Sequence, residues 1–238
     1  MKTNKYFALS DIHGRDISIQ AFEDKGFDIK NRNHYIVLVG DYFDRNPLNL
    51  KVLRFIEKYR KRLNSRFITL IGNHDEFVFK FIDHIEKNVM VGESLTHDEE
   101  NLDRWLRNGG DQTIRQLFGP YKGRYTQTKA KNLARLKSFY AELKGFYETQ
   151  DYIFTHAAIN EERVYDAWDR EFPHIGLDTH KTVIIGHSSH TYLDKELFDF
   201  YEYGGGIVAQ SKAKTKCPIL DIDNGHGNNI VVFEEKII

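Results

Sequence analysis

The chain has 238 residues, 40% of them apolar and 29% charged, and its charges nearly cancel to a formal net charge of −1. That balance describes a globular chain and excludes disordered, collagenous and membrane-spanning classes, while the want of a basic excess argues against a binder of duplex DNA or RNA. Cys217 is the single cysteine, which rules out an intrachain disulfide framework or a cysteine-rich zinc site, and Ser10 and Asp11 turn polar too early for a secretory segment, so the expected setting is the cytoplasm with no membrane partner.

The apolar run Tyr6-Phe7-Ala8-Leu9 predicts a buried strand leading into Ser10-Asp11-Ile12-His13-Gly14. In an extended segment Asp11 and His13 lie two apart on one face, so both can reach one ion. Asp16 is the expected N-cap, and Gly26 the stop, of a short helix with Ile19 and Phe22 inward. Ile36-Val37-Leu38-Val39 predicts a second strand, which ends in Gly40-Asp41-Tyr42-Phe43-Asp44-Arg45. Three charges beside a core are expensive unless a metal and a phosphate pair them.

Asn46-Pro47 predicts a helix start, and Leu50, Val52, Leu53, Ile56 and Tyr59 give the buried stripe of that helix. The cations from Lys58 to Arg62 are read as solvated charges at the helix end. Phe67-Ile68-Thr69-Leu70-Ile71 predicts a third strand, followed by Gly72-Asn73-His74-Asp75-Glu76 and a helical pattern through Phe77, Phe81 and Ile85. Strand, polar tip and helix recur as in an α/β fold whose site lies at the carboxyl ends of its strands.

From about residue 88 to 149 the chain is polar and helical in pattern, without a convincing buried strand, and reads as a helical cap inserted over the site. Leu133, Leu136, Phe139, Tyr140 and Leu143 mark its clearest amphipathic helix, and Asn108-Gly109-Gly110-Asp111 a turn between cap helices. The cap's aromatic residues are read as packing. Two further strands then end at His156 and at Gly186-His187. Residues 218–223 and 230–233 predict a hairpin at a sheet edge, with Asp221 and Asp223 as hairpin residues.

Five strand tips thus carry Asp11 and His13, Asp41, Asn73, His156 and His187. An oxygen and nitrogen set without sulfur suits Mn²⁺, Fe or Zn²⁺ rather than Ca²⁺. Six ligands exceed the needs of one catalytic ion, whereas two ions sharing Asp41, about 3.5–4 Å apart, would use them all in a clamp for phosphoryl hydrolysis. A lone histidine at a strand end is more often a hydrogen-bonded core or surface residue, and His34, His84, His97, His174 and His180 keep that reading. His190 and His226 lie near site loops, where they could touch substrate.

Asp-x-His-Gly, Gly-Asp-x-x-Asp-Arg, Gly-Asn-His-Asp and the two later histidines resemble the calcineurin-like metallophosphoesterases. Within them the chain is most similar to the phosphoprotein phosphatase branch, which includes lambda-type Ser/Thr phosphatases and symmetrical diadenosine tetraphosphatases. Asn108-Gly109-Gly110-Asp111-Gln112-Thr113 and Trp168-Asp169-Arg170 also resemble bacterial and phage members.

The resemblance implies a single domain over residues 1–238, a β-sandwich flanked by helices (αββα) with the cap inserted. It implies that Asp11, His13 and Asp41 hold a first ion and Asp41, Asn73, His156 and His187 a second, manganese being favoured over iron or zinc. A hydroxide bridging the ions would attack phosphorus in line. His74 would act as general acid, with Asp44 fixing its tautomer and favouring the imidazolium, and Arg45 and Arg170, with Asn73, would receive the phosphate.

The sequence departs from the family pattern at Asp75 for Glu, Asn46 for Gly, and Ala157-Ala158 after His156. None of these removes a ligand. The expected activity is that of a metal-dependent phosphomonoesterase of the Ser/Thr phosphatase type, acting on a phosphoprotein or small phosphoester. Symmetrical dinucleoside polyphosphate hydrolysis is the alternative, ahead of phosphodiesterase or nuclease activity, and a non-enzymatic scaffold stands last.

Overall fold

A computed structural model gives the fold and describes residues 2–90, 99–119 and 124–237. In chain order the elements are β1 (Thr3–Leu9), α1 (Ile19–Glu23), β2 (His34–Leu38), α2 (Asn49–Leu63), β3 (Phe67–Thr69), α3 (Asn73–Asn88), α4 (Glu99–Arg107), α5 (Gly110–Leu117), α6 (Gln127–Tyr140), β4 (Phe146–Glu148), β5 (Tyr152–Thr155), β6 (Ala158–Ile159) and β7 (Tyr165–Asp166). They continue with α7 (Phe172–Ile175), β8 (Thr182–Ile185), β9 (Phe198–Tyr203), β10 (Gly206–Ser211), β11 (Ile219–Asp221) and β12 (Val231–Lys236).

Two sheets carry the site. One has the order β12-β1-β2-β3 and the other β4-β5-β8-β11-β10-β9. β1, β2 and β3 run parallel, as do β5, β8 and β11, so six strands deliver their following loops to carboxyl ends. The period-2 alternation of each strand sorts its side chains into two layers. Ala8, Val37 and Ile68 face Phe154, Ile184 and Leu220 in a core between the sheets. Their neighbours Phe7, Leu9, Ile36 and Leu38 pack outward against Leu53, Ile56, Val78 and Leu136 of α2, α3 and α6. On the far side of the second sheet, Ile153, Val183 and Ile219 cover Phe172, Leu177 and Cys217.

Several local expectations are corrected. The α1 N-cap is Ser18, whose Oγ accepts from Ala21 N at 3.3 Å, while Asp16 pairs with Lys51 at the surface. α2 starts at Asn49 rather than at Asn46-Pro47, because Asn46 Nδ2 donates to His13 O and Asn49 Nδ2 to Asn46 O, both at 2.9 Å. Those side chains fasten one strand tip to the next instead of capping a helix.

The expected terminal hairpin does not form. β11 joins β8 in the second sheet, whereas β12 crosses to pair antiparallel with β1 in the first. The hairpin of this region is β9–β10, turning at Gly204-Gly205. Within the stretch read as cap, β4 is an edge strand antiparallel to β5. It is short and half-buried, so its sequence carries no apolar run. No helix among the described residues is long and apolar enough to cross a membrane.

Phe233 of β12 is fully buried, with its ring 5.4 Å from Tyr152 and 5.7 Å from Phe154 across the sheet interface. Phe233→Ala is expected to lower unfolding stability by about 3–5 kcal/mol in a urea titration. A loss under about 1 kcal/mol would contradict tight packing between the sheets there.

Candidate metal centre

The loops after β1, β2, β3, β5 and β8 meet because their backbones are tied to one another. Asp11 N donates to Gly40 O at 3.2 Å, His13 N to Asp41 O at 2.9 Å and Gly14 N to Tyr42 O at 2.9 Å. His187 N donates to Asp11 Oδ2 at 3.0 Å, which joins the second sheet to the first. Gly40, at φ +88°, lies so close to the third loop that a Cβ there would stand 2.8 Å from Gly72 Cα.

Among the described residues eight non-glycine residues have positive φ, and Asp11, His13, Asp41, Asp44, Arg45 and His187 are six of them. Such backbone is strained by roughly 1 kcal/mol or more per residue and persists only where its surroundings over-determine it. Here it aims side chains inward from strand tips.

Asp41 stands at the centre. His13 donates from Nδ1 to Phe43 O at 2.9 Å, which leaves Nε2 to face Asp41 Oδ2 at 3.5 Å and Asp11 Oδ1 at 3.8 Å. His156 donates from Nδ1 to Val39 O at 2.8 Å, leaving Nε2 3.5 Å from Asp41 Oδ1 and 3.0 Å from Asn73 Oδ1. His187 Nδ1 approaches the same Asn73 Oδ1 at 2.9 Å. With both Nδ1 protons committed to carbonyls, the Nε2 edges of the two rings face carboxylate and amide oxygens. A cation resolves such a contact, and backbone carbonyls that fix the ring tautomer are the usual support of a metal-binding histidine.

Charge and burial agree with that chemistry. Burial, then the negative charges of Asp223 and Asp41, push the Asp11 carboxyl well above its ordinary range. Burial alone would raise Asp41 too, but His156, His74, His13 and His187 outweigh it and hold Asp41 low. Burial drives the His13 imidazole well below its ordinary value. Burial, followed by His156 and Arg170, brings His187 down to about 3. Two groups of potential ligand atoms, His13-Asp41-His74 and Asp11-Asp41-His156, share Asp41. The residues present therefore fit divalent metal.

His74 belongs geometrically to the first group, yet both its ring nitrogens are engaged elsewhere. Nδ1 bonds Asp44 Oδ2 at 2.8 Å, and Arg45 Nη2 donates to Nε2 at 3.0 Å. Asp44 also accepts from Trp105 Nε1 at 2.7 Å and from the Thr113 hydroxyl. Burial raises the Asp44 carboxyl, while His74, Thr113 and Trp105 work against that shift.

Trp105 and Thr113 come from α4 and α5, and the sequence reading did not single out either. The available signal was Asn108-Gly109-Gly110-Asp111-Gln112-Thr113. Gly109 O accepts from Arg45 N at 3.0 Å, and a Cβ on Gly109, already at φ +93°, would sit 2.7 Å from Arg45 N.

The remaining expectations divide. Arg170 lies beside the cluster with Nη1 donating to Ser188 Oγ at 3.2 Å. Asp75 accepts from Asp41 N and Gly72 N at 2.9 Å and from Tyr42 N at 3.2 Å. The residue marked as a departure thus locks the second and third loops together. His190 Nε2 bonds Asp221 O at 2.9 Å instead of facing the cluster, and His226 is exposed in a turn. His34 and His174 are hydrogen-bonded to Asp28 N and Ser211 Oγ, and His97 lies outside the described residues.

Asp223 corrects the hairpin reading. It follows β11, is 5% exposed, and acts electrostatically on Asp11 and Asp41. No sequence pattern places it there, because its position depends on β11 pairing with β8.

In chelator, His187 binds fewer protons folded than unfolded between about 3 and 6.5, so its contribution to stability is lost as pH falls through that window. Asp11, shifted upward, has the opposite sign and loses its contribution as pH rises through its folded value. Metal-free Asp11→Asn is therefore expected to melt higher than metal-free wild type near neutrality, by roughly 2–4 °C for each kcal/mol relieved, with the order reversed in Mn²⁺. Scanning fluorimetry across pH, with and without metal, reads both limbs. A metal-free wild type that melts higher than the variant contradicts the charge assignment.

Residues 5–209 match the family described as calcineurin-like phosphoesterase. Over 101 residues the chain is 29% identical to the asymmetrical bis(5'-nucleosyl)-tetraphosphatase PrpE of Bacillus velezensis, covering 40% of each chain. Over 106 residues it is 31% identical to the symmetrical bis(5'-nucleosyl)-tetraphosphatase of Buchnera aphidicola subsp. Schizaphis graminum, covering 43% of this chain and 37% of the other. The chain thus spans about two fifths of the length of these curated relatives. Its fold is similar to the crystal structure of the cold-active protein-tyrosine phosphatase of a psychrophilic Shewanella species, at a TM-score of 0.50 and 13% identity, covering 97% of this chain and 75% of that one. A family match over most of the chain, on a fold that gathers the motif residues at the carboxyl ends of strands from both sheets, makes this protein a member of the calcineurin-like phosphoesterase family.

Proposed function

We propose that the protein is a two-metal phosphohydrolase, with Asp11, His13 and Asp41 holding one divalent ion and Asp41, Asn73, His156 and His187 the other. The observation that carries this reading is the approach of His13 Nε2 and His156 Nε2 to opposite oxygens of Asp41, each at 3.5 Å. Bound there, divalent ions would supply Lewis-acid polarisation of phosphoryl oxygens and activation of water, and manganese suits the mixed oxygen and nitrogen donors.

The protein's own groups do the rest. Arg45 Nη2 donates to His74 Nε2, so in this arrangement that nitrogen carries no proton, while Nδ1 faces Asp44. An anionic phosphoryl group attracts the guanidinium, which presents a planar fork matched to phosphate oxygens. As Arg45 moves onto the phosphate, His74 Nε2 is freed to take up a proton and pass it to the leaving oxygen. Asp44, itself held by Trp105 and Thr113, keeps the ring aimed and stabilises its cationic form. Phosphate binding and arming of the acid are therefore one event. Arg170, bonded to Ser188 next to His187, is the second arginine of the clamp.

A terminal phosphoryl group, as in a phosphomonoester, fits this pair of arginines. A second reading, hydrolysis of a dinucleoside polyphosphate, is supported by the names of the two curated relatives. Hydrolysis of p-nitrophenyl phosphate with and without Mn²⁺ tests the shared chemistry, and inactivity with several divalent ions on monoesters, diesters and diadenosine tetraphosphate would refute it. His74→Asn is expected to retain the metal content seen by elemental analysis and to lose roughly 10²–10⁴-fold in kcat. Unchanged turnover of an alkyl phosphate would remove His74 from the role.

A further inference from the structure

Arg15 is the first residue past the Asp-x-His-Gly loop, and neither the family resemblance nor the proposed mechanism uses it. It is half-buried. Among the described residues its side chain makes no hydrogen bond and no ion pair, and neither Arg45 nor Arg170 has a carboxylate partner. Elsewhere Arg60, Arg115, Arg135 and Arg163 are each paired with an acid.

The backbone of Arg15 is fixed relative to that of Arg45. Arg15 N donates to Ile12 O at 3.0 Å, Leu48 N to Gly14 O at 2.8 Å, and Asn46 Nδ2 to His13 O at 2.9 Å. Gly14, at φ +61°, is pressed so closely on the next loop that a Cβ would stand 2.5 Å from Asn46 O. The first strand-tip loop is thus clamped along the segment that carries Arg45. Of the charges acting on Arg15, the Arg45 guanidinium is the strongest, ahead of Asp223 and Asp11.

Two guanidinium groups in one neighbourhood repel each other until an anion lies between them. A terminal phosphoryl group has three non-bridging oxygens. Arg45, bonded to His74, and Arg170, bonded to Ser188 next to His187, are the two forks that the proposed mechanism assigns to it. A third fork needs acceptor oxygens that a monoester does not offer. A phosphoanhydride supplies them on the adjoining phosphorus.

We propose that Arg15, on the loop clamped against the segment of Arg45, forms a subsite for the phosphoryl group adjoining the one that Arg45 receives, which makes Arg15 a residue that selects phosphoanhydride chains over simple monoesters. This deepens the phosphohydrolase reading and rests on it for the identity of the cleaved group. The subsite itself is tested by binding, so the two stand or fall separately.

Orthophosphate and the non-hydrolysable imidodiphosphate are titrated calorimetrically into the Mn²⁺-loaded full chain. Wild type is expected to bind imidodiphosphate at least tenfold more tightly than orthophosphate. In Arg15→Ala that preference falls by about tenfold or more, and in Arg15→Lys, which keeps the charge but not the fork, it falls by less. Melting curves establish that each variant is folded, and if Arg15→Ala does not fold, Arg15→Gln replaces it.

Equal loss for both anions would mean that Arg15 serves the cleaved phosphate itself, and no loss for either would make it a bystander. Both results overturn the subsite. So would a larger loss for a phosphopeptide with acidic flanks than for imidodiphosphate, since the second anion would then come from a protein. If wild type shows the binding preference but hydrolyses no phosphoester, the subsite stands and the proposed activity fails. If it hydrolyses esters without the preference, the reverse holds.

Discussion

The structure depends on gathering imidazole nitrogens and carboxylate and amide oxygens around one buried carboxylate. Around Asp41 two imidazole Nε2 atoms, a second carboxylate and an amide oxygen converge within a shell almost closed to water. Such an arrangement is unfavourable in isolation. It is maintained because neither imidazole can turn its proton inward: Phe43 O and Val39 O hold both Nδ1–H groups. Those carbonyls belong to the loop that follows β2, so the segment that provides Asp41 also dictates the tautomers of the histidines beside it.

Holding that geometry requires backbone conformations that most residues avoid, and the rest of the fold over-determines them. The first three loops are cross-tied by backbone hydrogen bonds, Asp75 clasps the second to the third, and His187 N reaches across to Asp11. Both sheets contribute, so packing between them is a condition of the site rather than a background to it. The apolar layer containing Ala8, Val37, Ile184 and Leu220 positions the two sets of strand tips against each other.

Helices α4 and α5 act in the same way at one remove. Trp105 and Thr113 spend their polar atoms on Asp44, and Gly109 lets α4 and α5 close onto Arg45. The chain Thr113–Asp44–His74–Arg45 therefore connects α5 to the loop after β2. Trp168 extends the contact from the other side: its indole N–H bonds Glu76, and Arg104 of α4 lies 4.7 Å from its ring.

Much of this was legible in the sequence, for a physical reason. A parallel strand reads as a short apolar run, and the polar residues after it must lie at its carboxyl end, so Asp11, His13, Asp41, Asn73, His156 and His187 could be gathered before any fold was seen. Periodicity indicated β1, β2, β3, β5 and β8 and the helices α2, α3 and α6, but not β4, β6, β7, β9 or β10. What tertiary structure alone decided was which separate elements meet. β11 and β12 look like one hairpin and instead join opposite sheets, because pairing is settled by partners distant in the chain. For the same reason Asp223 arrives beside Asp11, Trp105 and Thr113 beside Asp44, and Arg15 beside Arg45. Local sequence determines what a residue can do at the end of its own strand, and only packing between strands and helices distant in the chain determines which charges it will share.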